Sequence, residues 1–275
     1  MGRTQKRKLA LKDFSRCHPK RKGTKKCLPG STYSEIATKL HVSQNKVFDA
    51  VGCKSGEEHC LVDNAPLSDD VKKGLRKDYL RPKMPKSWEK DPDMWLDNFN
   101  ILHVMKQYEE AYPWFTFLGV FPIDFSAPDP YVKTGETKCL NQEICNLKLV
   151  DEYNKGKRGI GMVFNLDPHF KGGSHWVGLY IDLKKRNKPF IAYFDSYGYK
   201  TPPLIARLMR SFKLQIAGSE LGFNARRFQY GNSECGMFSM YFIICMMHGI
   251  SFRDFCKDSV KDNFMLHLRQ ILFAK

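Results

Sequence analysis

The stretch "GGSHWVGLYIDL", Gly172–Leu183, decides how the rest of the chain is read. Two glycines and a serine make a turn. A continuous apolar run follows, which predicts a strand buried on both faces. His175 stands at the mouth of that strand and Trp176 directly follows it. An imidazole in such a place is ordinarily a turn or core residue. It carries chemistry only if other positions answer it.

Working outward, the neighbouring runs share this character. "GIGMVFNLDP" precedes the turn "HFKGGS", "KPFIAYFDSYG" gives a third strand and "FNARRFQY" a fourth. Further upstream, "FTFLGVFPIDF" reads as a strand or buried turn. Helical spacing brackets these runs. In "WLDNFNILHVMKQYEEAY", Ile101, Val104, Met105 and Tyr108 fall on one stripe. "TPPLIARLMRSFKL" has prolines near a helical first turn. "CGMFSMYFIICMMHG" is apolar all round and predicts a buried helix. "SFRDFCKDSVKDNFMLHLRQILF" gives one or two terminal helices, with Ser251-x-x-Asp254 as a cap. A central sheet with helices before and after it is an α+β layout, not a βαβ alternation.

Ahead of this region the chain changes. "STYSEIATKLH", "SQNKVFDAVG" and "LSDDVKKGLRKDYL" predict three short helices, the last capped by Ser68. "RPKMPKSWEKDPDMW" carries Pro82, Pro85 and Pro92 and reads as a linker. The expected organisation is a basic flexible arm over 1–27, a small helical module and linker over 28–90, and a larger domain over 91–275.

Charge divides the chain in the same way. The net charge is +16, and residues 1–90 hold 22 lysines and arginines against 10 acids. Within the first 26 residues eleven basic groups face one acid, Asp13. Lys6, Arg7, Lys8, Lys20, Arg21, Lys22, Lys25 and Lys26 are the candidate nucleic-acid contacts, since phosphate neutralisation releases counterions. The same run passes as a weak nuclear-import patch. No apolar run follows the first basic residues, so no secretory signal is expected. Lys6 breaks a myristoylation motif. The most apolar stretch, "MFSMYFIICMM", is too short to span a bilayer, so no membrane role is expected. The nine cysteines are scattered, which predicts reduced thiols in an intracellular protein. The spacing of Cys17, Cys27, Cys53 and Cys60 fits no zinc pattern.

The informative residues sit at element boundaries. His175 opens one strand, Asp195 closes the next, Gln229 ends "FNARRFQY" and Cys235 begins the apolar helix. A thiol at a helix N-terminus beside an imidazole is an activated nucleophile. His175 supplies the base, and Asp195 fixes its tautomer. The Gln229 amide and the Cys235 N–H are donors for an oxyanion. Gly236 leaves room beside the nucleophile. No metal is implied, and activity is expected to need a reduced Cys235.

The order His175-Trp176, Asp195, Gln229, Cys235-Gly236 resembles the SUMO-protease and adenovirus-protease group of cysteine peptidases, over roughly residues 94–260. Within that group the likeness is nearest to proteases of large cytoplasmic DNA viruses, of the African swine fever virus kind. The resemblance implies a papain-like cysteine protease fold with a central mixed sheet. It implies a His175–Asp195–Cys235 triad with Gln229 in the oxyanion hole. It also implies Trp176 over a narrow channel for Gly-Gly, with Trp95, Asp97 and Asn98 near the substrate tail. The expected activity is cleavage after Gly-Gly or Gly-small sites in viral structural polyproteins, within the virion and host cytoplasm. Processing of SUMO or another ubiquitin-like modifier is the alternative, and a non-catalytic DNA-binding virion protein is a third reading. No cofactor is required on this view, though DNA is an expected activator or scaffold, and the nucleus a further location.

Overall fold

The structure is a computed structural model that describes residues 8–21, 26–130, 132 and 138–274. The chain forms two compact units. One comprises residues 1–9 and 95–265, the other residues 10–94 and 266–275. This differs from the expected boundaries: residues 266–274 join the second unit, and Lys8 and Leu9 join the larger one.

The larger unit is built on a five-stranded sheet in the order β1-β2-β3-β4-β5. Its strands are β1 (Phe115–Pro122), β2 (Gly159–Asn165), β3 (Trp176–Asp182), β4 (Phe190–Phe194) and β5 (Glu220–Phe223). The outer pairs β1–β2 and β4–β5 are parallel, and β3 is antiparallel to both its neighbours. The sheet is therefore mixed, with β3 at its centre. A central strand meets helices on both faces and must be apolar throughout, as its burial shows.

Seven helices lie along this part of the chain among the described residues. They are α5 (Asn98–Ala111), α6 (Gln142–Cys145), α7 (Leu149–Asn154), α8 (Pro203–Gln215), α9 (Cys235–Met247), α10 (Phe252–Lys257) and α11 (Asp262–Leu272), the last crossing the division at 265/266. On one sheet face Ile160, Met162, Leu179, Ile181 and Tyr193 pack with Ile205, Met209 and Phe212 of α8. The other face receives α9, all of whose 13 residues are buried. Helix and sheet approach closely there, because β2 and β3 offer glycines. A Cβ on Gly178 would lie 3.0 Å from the Phe242 ring, and one on Gly161 2.9 Å from Ile243. Phe194 stacks on Phe242 at 5.1 Å, and the edge of Phe255 closes the cluster.

Local chemistry explains the ends. Asp97 caps α5, accepting from Asn100 N at 2.7 Å in a reciprocal capping box. Ser251 caps α10 through Asp254 N. Prolines sit at the cap and first position of α8. One expected strand is not formed. "FNARRFQY" is extended only to Phe223, because the Asn224 side chain replaces the ladder. Its Oδ1 accepts from Asp195 N at 2.8 Å, and its Nδ2 donates to Asp195 O at 2.7 Å and Arg226 O at 3.0 Å.

The second unit is helical, with α1 (Gly30–Leu40), α2 (Val47–Ala50), α3 (Glu58–Asn64) and α4 (Asp69–Tyr79). Its core comprises Leu28, Tyr33, Ile36, Val47, Leu61, Val62 and Leu80. Of these helices α3 was not expected: its seven residues are too few to show a period. From the C-terminal segment, Phe273 meets the edge of Trp88 at 4.8 Å, and the Arg269 guanidinium lies over the same indole at 3.7 Å.

Two expectations are corrected here. Residues 10–21 are not a loose arm: they form two 3-10 turns, with Cys17 and His18 buried. The thiols are not all reduced. Cys17–Cys27, Cys53–Cys60 and Cys139–Cys145 are disulfides, and Cys235, Cys245 and Cys256 remain thiols. The pairs lie 10, 7 and 6 residues apart in sequence, within reach of a single turn. Among the described residues no helix is long and apolar enough to cross a membrane.

Candidate active site

The central strand delivers the first group. β3 begins at Trp176, so the preceding His175 leaves the sheet at its mouth, with its own carbonyl still accepting from Leu166 N. The next strand, β4, ends at Phe194, which puts Asp195 on the first residue of a turn. The His175 Nε2 and Asp195 Oδ1 atoms meet at 2.9 Å, with the carboxylate fully buried. Cys235 opens α9 and lies beside His175, close enough to raise the histidine's pKa. The imidazole therefore lies between a carboxylate and a thiol.

Electrostatics follow from that placement. Burial alone would lower the His175 pKa. The hydrogen bond to Asp195 and the neighbouring Cys235 outweigh it and raise the pKa to about 9. A protonated imidazole is the state this geometry favours. As the first residue of a helix, Cys235 also has an N–H with no acceptor in its own helix.

Gln229 is fully buried and gripped at both ends. Its Oε1 accepts from Ser196 Oγ at 2.7 Å. Its Nε2 donates to Gly231 O at 3.0 Å and to Tyr197 Oη at 3.3 Å. Backbone bonds from Phe228 N and Gln229 N to Ser196 O fix the segment itself. The amide nitrogen is thus held on the side of Tyr197 and Gly231.

The expected substrate residues divide. The Trp176 indole is pinned by Nε1–H donating to Leu96 O at 2.9 Å. Trp95 is exposed beside it in sequence, at 46% of its full surface. Asp97 is occupied as the α5 cap, and Asn98 is the exposed first residue of that helix. Gly236 is corrected: the space at its Cα is not left open, since a Cβ there would lie 2.9 Å from the Leu96 side chain.

The candidate nucleic-acid contacts also divide. Lys8 is corrected. Its ammonium is buried over the Phe228 and Phe255 rings, 4.8 Å from each centroid, where no phosphate reaches it. Burial lowers its pKa. Lys20 and Lys26 are exposed and Arg21 is half-buried, Arg21 lying over Tyr79 and Lys26 over Tyr33. Lys6, Arg7, Lys22 and Lys25 lie outside the described residues. One grouping among the described residues has metal-ligand proximity, Cys17, Cys27 and Glu58. Its two sulfurs are joined as a disulfide, and Glu58 Oε1 already accepts from Cys27 N, Leu28 N and Tyr33 Oη.

Sequence reading missed Ser196, Tyr197, Asn224 and Leu96. Each is bonded to Asp195, Gln229 or Trp176. The "DSYG" motif was the visible signal for the first two.

Comparison with known proteins agrees with this geometry. Residues 157–274 match the Ulp1 protease family, C-terminal catalytic domain. A protein of Acanthamoeba polyphaga mimivirus, provisionally named a thiol protease, is 29% identical over 190 residues, 65% of this chain and 56% of its own. The African swine fever virus SUMO-1 cysteine protease is 29% identical over 118 residues, 41% of this chain and 43% of its own. The chain thus spans about half the length of the curated relatives it matches. The crystal structure of the African swine fever virus protease superimposes with a TM-score of 0.71 at 23% identity, covering 94% of this chain and 95% of that one. That likeness establishes the fold. Over residues 157–274, the segment that carries His175, Asp195, Gln229 and Cys235, this chain is therefore similar to the C-terminal catalytic domain of the Ulp1 protease family.

Proposed function

We propose that this chain is a cysteine endopeptidase that cleaves after Gly-Gly or Gly-small sites in viral structural polyproteins. The observation that carries the reading is the His175 imidazole bonded to Asp195 with Cys235, at the head of α9, beside it. In the reaction the Cys235 thiolate attacks the scissile carbonyl. Charge develops on the carbonyl oxygen, and the Cys235 N–H and Gln229 Nε2 are the donors for it. His175 gives its proton to the leaving amine, which departs and leaves a thioester on Cys235. Water, deprotonated by His175, then hydrolyses the thioester and restores the thiolate. Asp195 holds the imidazole in one orientation throughout.

The glycine preference is supported by Trp176. Its indole is tied to Leu96 O and cannot readily swing aside. A backbone that passes closest to a fixed ring is one without a Cβ. That the named relatives are viral supports a viral setting, and the virion and host cytoplasm are where we place the work. The name of the African swine fever virus relative supports a second reading, processing of a ubiquitin-like modifier.

The test is intact-protein mass after incubation with a Gly-Gly peptide bearing a C-terminal thiol-reactive group. We expect one adduct on the native, reduced protein and none on Cys235→Ala. Peptides with bulky residues in place of either glycine should label far more slowly. Equal labelling would overturn the glycine preference, and no adduct on folded protein would overturn the peptidase reading. Faster processing of a folded modifier than of any peptide would favour the second reading.

A further inference from the structure

Asp195, Ser196, Tyr197 and Gly198 form one tight turn, closed by Gly198 N donating to Asp195 O at 2.9 Å. Gly198 has φ +75°, and a Cβ there would lie 2.8 Å from the Arg226 carbonyl carbon. The turn is therefore pressed against the 226–229 segment and has no room to drift.

Tyr197 occupies the centre of this arrangement. Its N–H donates to Asp195 Oδ1 at 2.8 Å, the same oxygen that meets His175. Its ring stacks on the His175 imidazole with centroids 4.9 Å apart and planes 28° from parallel. The Arg227 guanidinium lies 5.4 Å from the same ring. Its Oη donates to Gly231 O at 2.9 Å and accepts from Gln229 Nε2 at 3.3 Å. One residue thus touches the base and the oxyanion donor with its side chain and the acid with its backbone N–H.

We infer that Tyr197 is a positioning residue of the reaction: its ring sets the plane of the His175 imidazole, and its hydroxyl holds the Gln229 amide in the cleft. The inference rests on the cysteine peptidase reading and deepens it. Gln229 Nε2 has two hydrogens. The bond to Gly231 O is the shorter, and the longer one to Tyr197 Oη is the hydrogen an oxyanion would take over. Ser196 fixes which end of the amide faces that way. Without Oη the amide keeps its carbonyl anchor but loses the contact that aims its nitrogen. Without the ring the imidazole loses one wall.

Two variants separate these functions. Tyr197→Phe keeps the ring and removes Oη. Its kcat should fall about tenfold, less than the ~10²–10³ lost with an entire donor, with KM unchanged. Its His175 imidazole, followed by NMR, should titrate as in the native protein. Tyr197→Leu removes both contacts. It should lose kcat as well, and its His175 should titrate about half a pH unit lower, the size expected for loss of an aromatic face. A Phe variant at native kcat together with a Leu variant whose imidazole titrates unchanged would overturn the inference. The titration needs no substrate. A native protein that cleaves no peptide would therefore sink the peptidase reading, while the Leu variant would still decide the ring contact.

Discussion

At His175 two opposed effects compete, and their balance fixes a working pH. Burial disfavours the imidazolium, and the paired Asp195 and Cys235 favour it and prevail, to a pKa of about 9. A raised histidine pKa has a definite sign. The pair's contribution to folding is complete below the ordinary value of 6.5 and is lost as pH climbs through about 9. Activity should therefore show an alkaline limb near pH 9. Cys235→Ala removes one of the charges that raise the pKa, so its His175 should titrate measurably lower by NMR. An unchanged titration would mean that Asp195 alone sets the value. At this scale the sequence was informative about chemistry and silent about support. His175, Asp195, Gln229 and Cys235 were legible because nucleophile, base and donors must be particular residue types at element ends. Tyr197 and Ser196 were not, since a tyrosine and a serine after an aspartate read as an ordinary turn. Gly236 misled for a related reason: a glycine beside a nucleophile looks like space for substrate, yet Leu96 fills that space.

Among elements, α9 and the segment before α5 make a single roof support. Leu96 packs where Gly236 has no Cβ, and its carbonyl holds the Trp176 indole. Gly236→Ala would push a methyl to 2.9 Å from Leu96 and shift the carbonyl that anchors Trp176. We expect KM for Gly-Gly peptides to rise roughly tenfold with kcat little changed, since overpacking of this kind costs about 1–3 kcal/mol. Adding Leu96→Ala should relieve the strain, and steady-state kinetics on the single and double variants would show it. A rise confined to kcat would place Gly236 in the chemistry instead. The elements themselves were largely legible. Continuous apolar runs marked β2, β3 and α9, because a sheet covered on both faces leaves no polar alternation to read. The segment after Phe223 was misjudged because its backbone is satisfied by one asparagine side chain, which apolar patterning cannot reveal.

For the whole molecule, charge and redox state set the behaviour. The basic excess of residues 1–90 remains a candidate contact for DNA, with Lys20, Arg21 and Lys26 its described members. Duplex binding through six to ten such contacts would weaken about 10³- to 10⁵-fold between roughly 50 and 200 mM salt. We expect a steep salt dependence by fluorescence anisotropy, reduced in a Lys20→Glu/Lys26→Glu variant and unaffected by Lys8→Gln, whose native ammonium is sequestered between rings. Binding insensitive to salt would remove the DNA reading. The boundary of the basic arm was illegible for a plain reason: charged turns closed by a disulfide look like a solvated tail when only composition is seen. The nucleophile is rooted in α9, a helix buried along all 13 residues, whereas His175, Asp195 and Gln229 stand at strand mouths and on turns. A latent form of the proposed peptidase would keep its sulfur where it is and dismantle the turns around it. Such a state would leave the melting behaviour of the core almost untouched, and its signature would be accelerated proteolysis and amide exchange confined to residues 195–198 and 229–231.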